Sequence, residues 1–185
     1  AANTFVDTFK IFVNNLNEAP TDIVLTSDSI QENQAINSIV ATLSTVDEDA
    51  GQSFSYQFVN IPGNDNANFN LVGNTLRTTT SFDYENRDLY FIYIETNDLN
   101  GGVFTKPISI RIIDVNDTPS DIQLSSSAVA ENLPIGSFVG KVLSTDQDTG
   151  STFNYALVNG VGDANNSSFI ISNDSLLTNT VFNFN

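Results

Sequence analysis

The stretch NEAPTDI at residues 17–23 returns as NDTPSDI at residues 116–122, an offset of 99 residues. The same offset relates IQEN to VAEN, TVDEDAG to STDQDTG and FSYQFVN to FNYALVN. Solenoid repeats have periods of roughly 20–50 residues, whereas a period near one hundred residues is the size of a domain. The repeat therefore predicts two tandem modules, residues 17–115 and residues 116–185, preceded by a separate segment at residues 1–16.

Alternating apolar residues predict β-strands in both modules. Ile108, Ile110 and Ile112 alternate with polar residues, as in a half-buried strand, and residues 89–94 form an apolar and aromatic run typical of a sandwich interior. The other predicted strands are residues 23–25, 38–43, 53–59 and 69–71. No stretch shows a helical apolar stripe, so the pattern predicts an all-β protein built of antiparallel β-sandwiches.

Composition limits the partners and the chemistry. With 22 acidic and 6 basic residues the net charge is −16, which argues against binding to nucleic acid or to an anionic membrane. The chain has no Cys and no His, which excludes ordinary zinc, copper and iron sites and leaves oxygen coordination of Ca²⁺ or Mg²⁺. The close acid pairs suit metal binding better than glycosidase chemistry, so we expect no enzyme activity.

Neither a membrane span nor an export signal is recognisable in this sequence. No apolar run approaches the roughly 18 residues that a bilayer requires, and residues 1–15 lack the basic, apolar and small-residue order of a signal peptide. We therefore expect no membrane insertion by this fragment.

The segment DVNDTP at residues 114–119 joins the two modules and is rich in oxygen ligands. Asp114, Asn116 and Asp117 fall within four positions. A Ca²⁺ ion takes 6–8 oxygens at about 2.3–2.6 Å, and an extended linker can supply several of them. The alternative is an Asp/Asn-rich turn whose side chains cap their own backbone. The linker alone leaves both interpretations open.

The acidic motifs together resemble the cadherin repeat. Glu32 stands in QEN, Asp83 and Glu85 in FDYE, the linker reads DVNDTP, and Asp146 and Asp148 stand in DQD. The motifs extend over more than a hundred residues in the order that the family shows. The resemblance implies Greek-key, immunoglobulin-like β-sandwich modules with a row of Ca²⁺ ions at their junction.

The resemblance also implies the ligands of these ions. The two inner ions would be held by Glu32, Asp83, Glu85, Asp114, Asp117, the carbonyl of Val115, and Asp148. A third ion would be held by Asn116, the carbonyl of Thr118, Asp146 and Asp148.

The upstream linker at residues 15–20, NLNEAP, departs from the family pattern at Asn15 and Glu18. The resemblance implies that an outer calcium site survives there, formed by Asn17, the carbonyl of Ala19, Asp47, Asp49 and Asp98. In the second module Glu131 has no acidic partners, because the offset is 100 in this part of the module and Asn183 and Asn185 align with Asp83 and Glu85. We therefore expect Glu131 to bind no ion strongly.

These features predict a calcium-binding, calcium-rigidified spacer or adhesion segment of a large extracellular surface protein. The Cys-free composition rich in Asn, Ser and Thr is similar to bacterial members of the family, in secreted adhesins. The alternatives are a carbohydrate-binding module, with Tyr56, Tyr84, Tyr90 and Tyr155 as candidate stacking residues, and a homophilic adhesion module. The chain contains no Trp, so strand exchange through a tryptophan anchor is not available.

The ends of the sequence do not coincide with module ends. At the repeat offset Phe9, Ile11 and Val13 align with Ile108, Ile110 and Ile112, so residues 4–13 are interpreted as the last strand of a preceding module. The second module stops where the first still has two strands to come. An open sheet edge accepts strands from other chains, although ends produced by cleavage at arbitrary points would show the same pattern.

We expect residues 4–13 of one molecule to pair with the second module of a neighbour, or to remain poorly ordered. Solution scattering or sedimentation measures the molecular mass. Pairing between chains predicts a dimer in which the amides of residues 4–13 are protected from hydrogen exchange. A monomeric mass together with unprotected amides in this segment would contradict the exchange.

Overall fold

The computed structural model describes residues 1–184 and separates the chain into two compact units, one ending at Val115 and the next beginning at Asn116. Within the first unit, residues 1–21 contain no strand, and Phe9, Ile11 and Val13 are each more than 80% exposed. The strand interpretation of residues 4–13 is thus not realised within one chain, and pairing with a neighbour stays a prediction.

The first unit is a Greek-key β-sandwich of two four-stranded sheets. One sheet has the order β1-β3-β6-β5 and the other β2-β8-β7-β4. All pairs are antiparallel except β2 with β8, which is parallel. The strands are β1 Asp22–Leu25, β2 Ser29–Gln31, β3 Ile39–Val46, β4 Ser55–Phe58, β5 Phe69–Val72, β6 Thr75–Thr78, β7 Leu89–Asn97 and β8 Val103–Ile113.

The core lies between these two sheets and follows the two-residue period of a strand. Ile23 and Leu76 from one sheet and Ile92 and Ile110 from the other are completely buried. The strand expected as a continuous interior run, residues 89–94, alternates instead, and Phe91 is 45% exposed on the outer face. The predicted all-β sandwich is confirmed, whereas the interior placement of the whole run at residues 89–94 is wrong, because only alternate side chains of it face the core.

The second unit repeats one of these sheets. Its described residues form a single sheet with the order β11-β12-β10-β9, equivalent to the β5-β6-β3-β1 sheet of the first unit. Ile122, at the position of the fully buried Ile23, is 62% exposed because the described residues place no second sheet over this face. The strands are β9 Asp121–Leu124, β10 Phe138–Thr145, β11 Phe169–Ser172 and β12 Ser175–Thr178.

A bidentate ion pair fastens the start of β7 in the first unit. Arg87 donates from Nη1 to Asp65 Oδ1 at 2.7 Å and from Nη2 to Asp65 Oδ2 at 2.6 Å, and the N–H of Phe91 donates to Asp65 Oδ2 at 2.8 Å. Burial raises the pKa of Asp65, but the bonds from Arg87 and Phe91 outweigh burial and hold this pKa below its ordinary value. The charged form of Asp65 therefore stabilises the folded state.

We expect the free energy of unfolding to fall at acidic pH partly through Asp65. Because its folded pKa lies below the unfolded value of about 3.9, its contribution is complete above that pH and is lost as the pH falls through the folded pKa. Urea unfolding with a chelator present, from pH 7 to pH 2.5, should show the deficit of Asp65→Asn shrinking with acidification. Asp7→Asn, at an exposed position, is the control, and a deficit independent of pH would contradict the assignment.

Candidate metal centre

The carboxylate of Glu32 lies at the centre of the first group of acidic residues. Glu32 follows β2 directly, is 1% exposed, and donates its own N–H to the carbonyl of Ile113 at 3.1 Å. Its Oε1 accepts the N–H of Val115 at 2.8 Å, and its Oε2 accepts the N–H of Tyr84 at 2.7 Å. One buried carboxylate thus joins the end of β2, the start of the linker and the turn that precedes β7.

The parallel pairing of β2 with β8 explains why these acids meet. Gln31 is opposite Ile113, so the two strands end at the same edge of the sheet, and Glu32 and Asp114 follow them. Carboxylate oxygens of Glu32, Glu85 and Asp114 all lie within 4.8 Å of one another. We call these three residues the acid cluster, and it unites three of the ligands that the sequence predicts.

The acid cluster suits a hard divalent cation. Two like charges about 4 Å apart repel by roughly 4 kcal/mol at an effective dielectric constant near 20, so three carboxylates at this spacing destabilise one another. Glu85 and Asp114 are exposed and accessible to an ion, whereas Glu32 is buried. All the donors are carboxylate oxygens, which Ca²⁺ and Mg²⁺ prefer. The residues present therefore fit calcium.

Asp83 is placed differently from this cluster. Its Oδ1 accepts the N–H of Asn86 at 3.0 Å, and its carbonyl accepts the N–H of Arg87 at 3.0 Å. Asp83 therefore closes the turn at residues 83–88 and is not one of the three acids that converge. The resemblance implies that Asp83 is a ligand like Glu85; its Oδ1 accepts the bond from Asn86, and its ligand role stays a prediction.

The second unit gathers its own predicted ligands around the DQD loop. The N–H of Asp117 donates to Asp148 Oδ2 at 2.6 Å, and the N–H of Asp148 donates to Asp146 Oδ1 at 2.9 Å. Asn116 donates its side-chain amide to the carbonyl of Asp117, and Thr118 is exposed. The backbone of the linker is thus fastened to the loop that carries the two aspartates.

The upstream set also comes together in the first unit. Asn17 donates to Asp98 Oδ2 at 2.9 Å, the N–H of Glu18 donates to Asp49 Oδ2 at 2.9 Å, and the N–H of Asp49 donates to Asp47 Oδ1 at 2.9 Å. The hydrogen bond from Asn17, followed by backbone N–H groups at residues 100–102, holds the pKa of Asp98 below its ordinary value despite its burial. Asp98 is therefore a buried carboxylate kept in its charged form.

One further observation shows that this set fits a cation, and another shows how closely its residues pack. Asp47 Oδ2 is buried and has no hydrogen-bond partner, which is costly for a carboxylate oxygen unless a cation meets it. A Cβ added at Gly102 would lie 2.3 Å from Asp98 Oδ2 and 2.7 Å from Ala19 Cα. Ala19 therefore passes directly against the loop of Asp98, and only glycine leaves room for this approach.

Gln52 belongs to this set although the sequence analysis missed it. Its side-chain amide donates to Asn17 Oδ1 at 2.7 Å. The repeat offset carries Gln52 to Ser151, whose hydroxyl donates to Asp146 Oδ1 at 3.3 Å. The aligned copies could have identified Gln52, because both place a polar side chain three residues after the second aspartate of the loop.

Glu131 repeats one half of the arrangement around Glu32. Its Oε2 accepts the N–H of Phe184 at 2.8 Å, as Glu32 accepts that of Tyr84. Asn183 takes the place of Asp83, and Asn185 lies outside the described residues. That Glu131 binds no ion strongly stays a prediction.

Removing one charge from the acid cluster should stabilise the metal-free protein. In chelator, we expect Asp114→Asn to raise the free energy of unfolding by up to about 1 kcal/mol, because two repulsions are weakened at an exposed position. The gain should shrink with added salt, which screens exposed charges. Thermal unfolding at two salt concentrations that differ about tenfold measures the gain in stability and its decrease with salt. Asp7→Asn is the matched control. Destabilisation by Asp114→Asn at low salt would contradict mutual repulsion.

Comparison of sequences shows related proteins. No protein-family model matches the chain. It is similar to protocadherin Fat 4 of Mus musculus, with 32% identity over 140 residues, and to cadherin-18 of Homo sapiens, with 29% identity over 157 residues. These matches cover 72% and 80% of this chain but 3% and 20% of the relatives. The chain thus spans a small part of the curated relatives that it matches.

Comparison of structures shows a shared fold. Human protocadherin-24 EC1-2 has a TM-score of 0.64 at 21% identity, covering 90% of this chain and 79% of that one. Drosophila N-cadherin EC1-4 has a TM-score of 0.61 at 20% identity, covering 89% and 41%. At this identity the structures establish a shared fold, and the sequence relatives establish the kinship. The chain belongs to the cadherin family.

Proposed function

We propose that this chain is a non-catalytic, calcium-binding pair of modules that calcium stiffens into a spacer and adhesion segment of a larger extracellular protein. The observation that carries the proposal is the convergence of Glu32, Glu85 and Asp114 at the exit from the first unit. Three carboxylates within 4.8 Å are costly unless a cation is bound, and a calcium-rich exterior supplies that cation.

The linker explains how binding would stiffen the protein. Asp114 belongs to the acid cluster and Asp117 is fastened to Asp148, yet only two residues separate them, so the chain holds their Cα atoms within about 11 Å. In the proposal, ions held by Glu32, Glu85 and Asp114 on one side recruit Asp117 and Asp148 on the other. Calcium supplies the positive charge that turns repulsion between these acids into attraction.

In this proposal, the expected affinity for calcium is consistent with an extracellular location. Extracellular calcium modules bind with dissociation constants on the order of 10⁻⁴ to 10⁻³ M, which cytosolic calcium would not fill. The described residues include no helix that is long and apolar enough to cross a membrane. The extracellular domain of protocadherin gamma B4 shares the fold at a TM-score of 0.51. The relatives named above are animal proteins, so an origin in a bacterial adhesin rests on composition alone.

The alternatives have less support. A carbohydrate site would need exposed stacking rings, but Tyr56, Tyr84 and Tyr155 are half-buried and Tyr90 is buried. Homophilic binding is favoured by one observation, the exposed apolar side chains of residues 5–13. Contact between copies remains our second candidate for the adhesive role.

We expect calcium to raise the melting temperature and to narrow the distribution of interdomain distances. At 2 mM free calcium, about 2 to 20 times the expected dissociation constant, the free energy of unfolding should rise by roughly 0.7–2 kcal/mol per site. Asp117→Ala should reduce both the rise in melting temperature that calcium causes and the narrowing of the distance distribution, which solution scattering measures. Asp7→Ala is the matched control, since it removes an acid outside all the proposed sites. A calcium-dependent shift unchanged by Asp117→Ala would overturn the assignment of this ligand.

A further inference from the structure

The turn at residues 83–88 carries Glu85, and its backbone is fastened on both sides of that residue. Before Glu85, the N–H of Tyr84 donates to the buried Glu32 at 2.7 Å. After Glu85, the N–H groups of Asn86 and Arg87 each donate to Asp83 at 3.0 Å. The position of the Glu85 side chain therefore depends on how firmly this turn is held.

The side chain of Arg87 holds the far end of the turn. Its two Nη atoms donate to both oxygens of Asp65, and its Nε donates to the carbonyl of Leu89 at 2.8 Å. The guanidinium also lies 4.3 Å from the centroid of the Tyr90 ring. A planar guanidinium bound at both edges and stacked on a ring has little rotational freedom, which Lys cannot reproduce.

Asp65 is a fixed anchor for this contact. Its N–H donates to the carbonyl of Phe91 at 2.7 Å, and Phe91 returns its N–H to Asp65 Oδ2 at 2.8 Å. Its side chain is 11% exposed, against 43% for that of Arg87. The hydrogen bonds of Asp65 therefore connect the turn that carries Glu85 to strand β7 of the sandwich.

We infer that Arg87, clamped by Asp65, is a positioning residue that sets the calcium affinity of the acid cluster. The inference rests on the proposed function, because calcium affinity is the property that the clamp controls. Without the clamp, the turn gains conformational freedom that ion binding must remove. Groups that orient metal ligands typically change affinity by 10–100-fold when mutated, and for this exposed turn we expect about tenfold.

The sign of the effect separates positioning from electrostatics. Arg87 is a cation, so if it acted only through its charge, its neutralisation would strengthen the binding of Ca²⁺. A positioning role predicts the opposite, weaker binding on removal of a positive charge. Lys106→Gln is the matched control, because it removes a positive charge from the same unit, at a side chain that bonds Asp22 and the carbonyl of Ile23. It should leave affinity unchanged or slightly increased.

The test is calorimetric titration of the whole chain with calcium, at a temperature where circular dichroism shows each metal-free variant to be folded. The binding phase that Asp114→Asn removes is assigned to the acid cluster. In that phase we expect Arg87→Gln to bind about tenfold more weakly than wild type, and Arg87→Gln with Asp65→Asn to bind no more weakly than the weaker single variant.

Each outcome is decisive. Wild-type or tighter binding by folded Arg87→Gln would overturn the inference while leaving the proposed function intact. No calcium binding by the wild type would overturn the proposed function itself. If Arg87→Gln does not fold, Arg87→Lys is titrated instead; it keeps the charge and loses the bidentate geometry, so weaker binding supports the clamp and wild-type binding overturns it.

Discussion

The parallel pairing of β2 with β8 is the constraint on which the rest of the site depends. Three residue pairs, from Ser29–Arg111 to Gln31–Ile113, bring two distant parts of the sequence to the same sheet edge, heading in the same direction. Glu32 then accepts backbone N–H groups from both the linker and the turn before β7. The buried carboxylate of Glu32 thus links the start of the linker to the turn that carries Glu85, beside Asp114 at the end of β8.

The first unit carries acidic groups at both ends of its longest strand. β8 has eleven residues, Val103–Ile113, and so extends about 33 Å from the Asp98 loop to the acid cluster. Each group is formed where strands end and loops bring oxygen atoms together. The acidic residues thus lie at the two ends of β8, and the apolar core lies between the sheets.

The fold was predictable because its signals are local, whereas the supports of the site are not. Alternation at Ile108, Ile110 and Ile112 identifies β8 directly. The aligned repeats identify Glu32 and the Asp-x-Asp loops, whereas the resemblance to the cadherin repeat supplies Glu85 and Asp114. β2 and β6 were not predicted: β2 has only three residues, and the four residues of β6, TLRT, include a single apolar side chain. Asp65 and Arg87 escaped because their contact joins residues 22 positions apart, with no motif at either one. The motif that contains Asp83 likewise does not reveal the hydrogen bond that its side chain accepts from Asn86.

The direction of the strands has a mechanical consequence for a chain pulled from its two ends. Tension enters the first unit before β1 and leaves after β8, and at its exit β8 lies alongside the parallel β2. A pull along β8 loads the bonds at residues 111–113 in shear, so they must fail together instead of opening one after another. The carboxylate of Glu32 accepts the N–H of Val115 just after β8, and this hydrogen bond adds resistance where the force is applied. The paired ends of β2 and β8, where the acidic residues meet, are thus also the part of the first unit that resists extension.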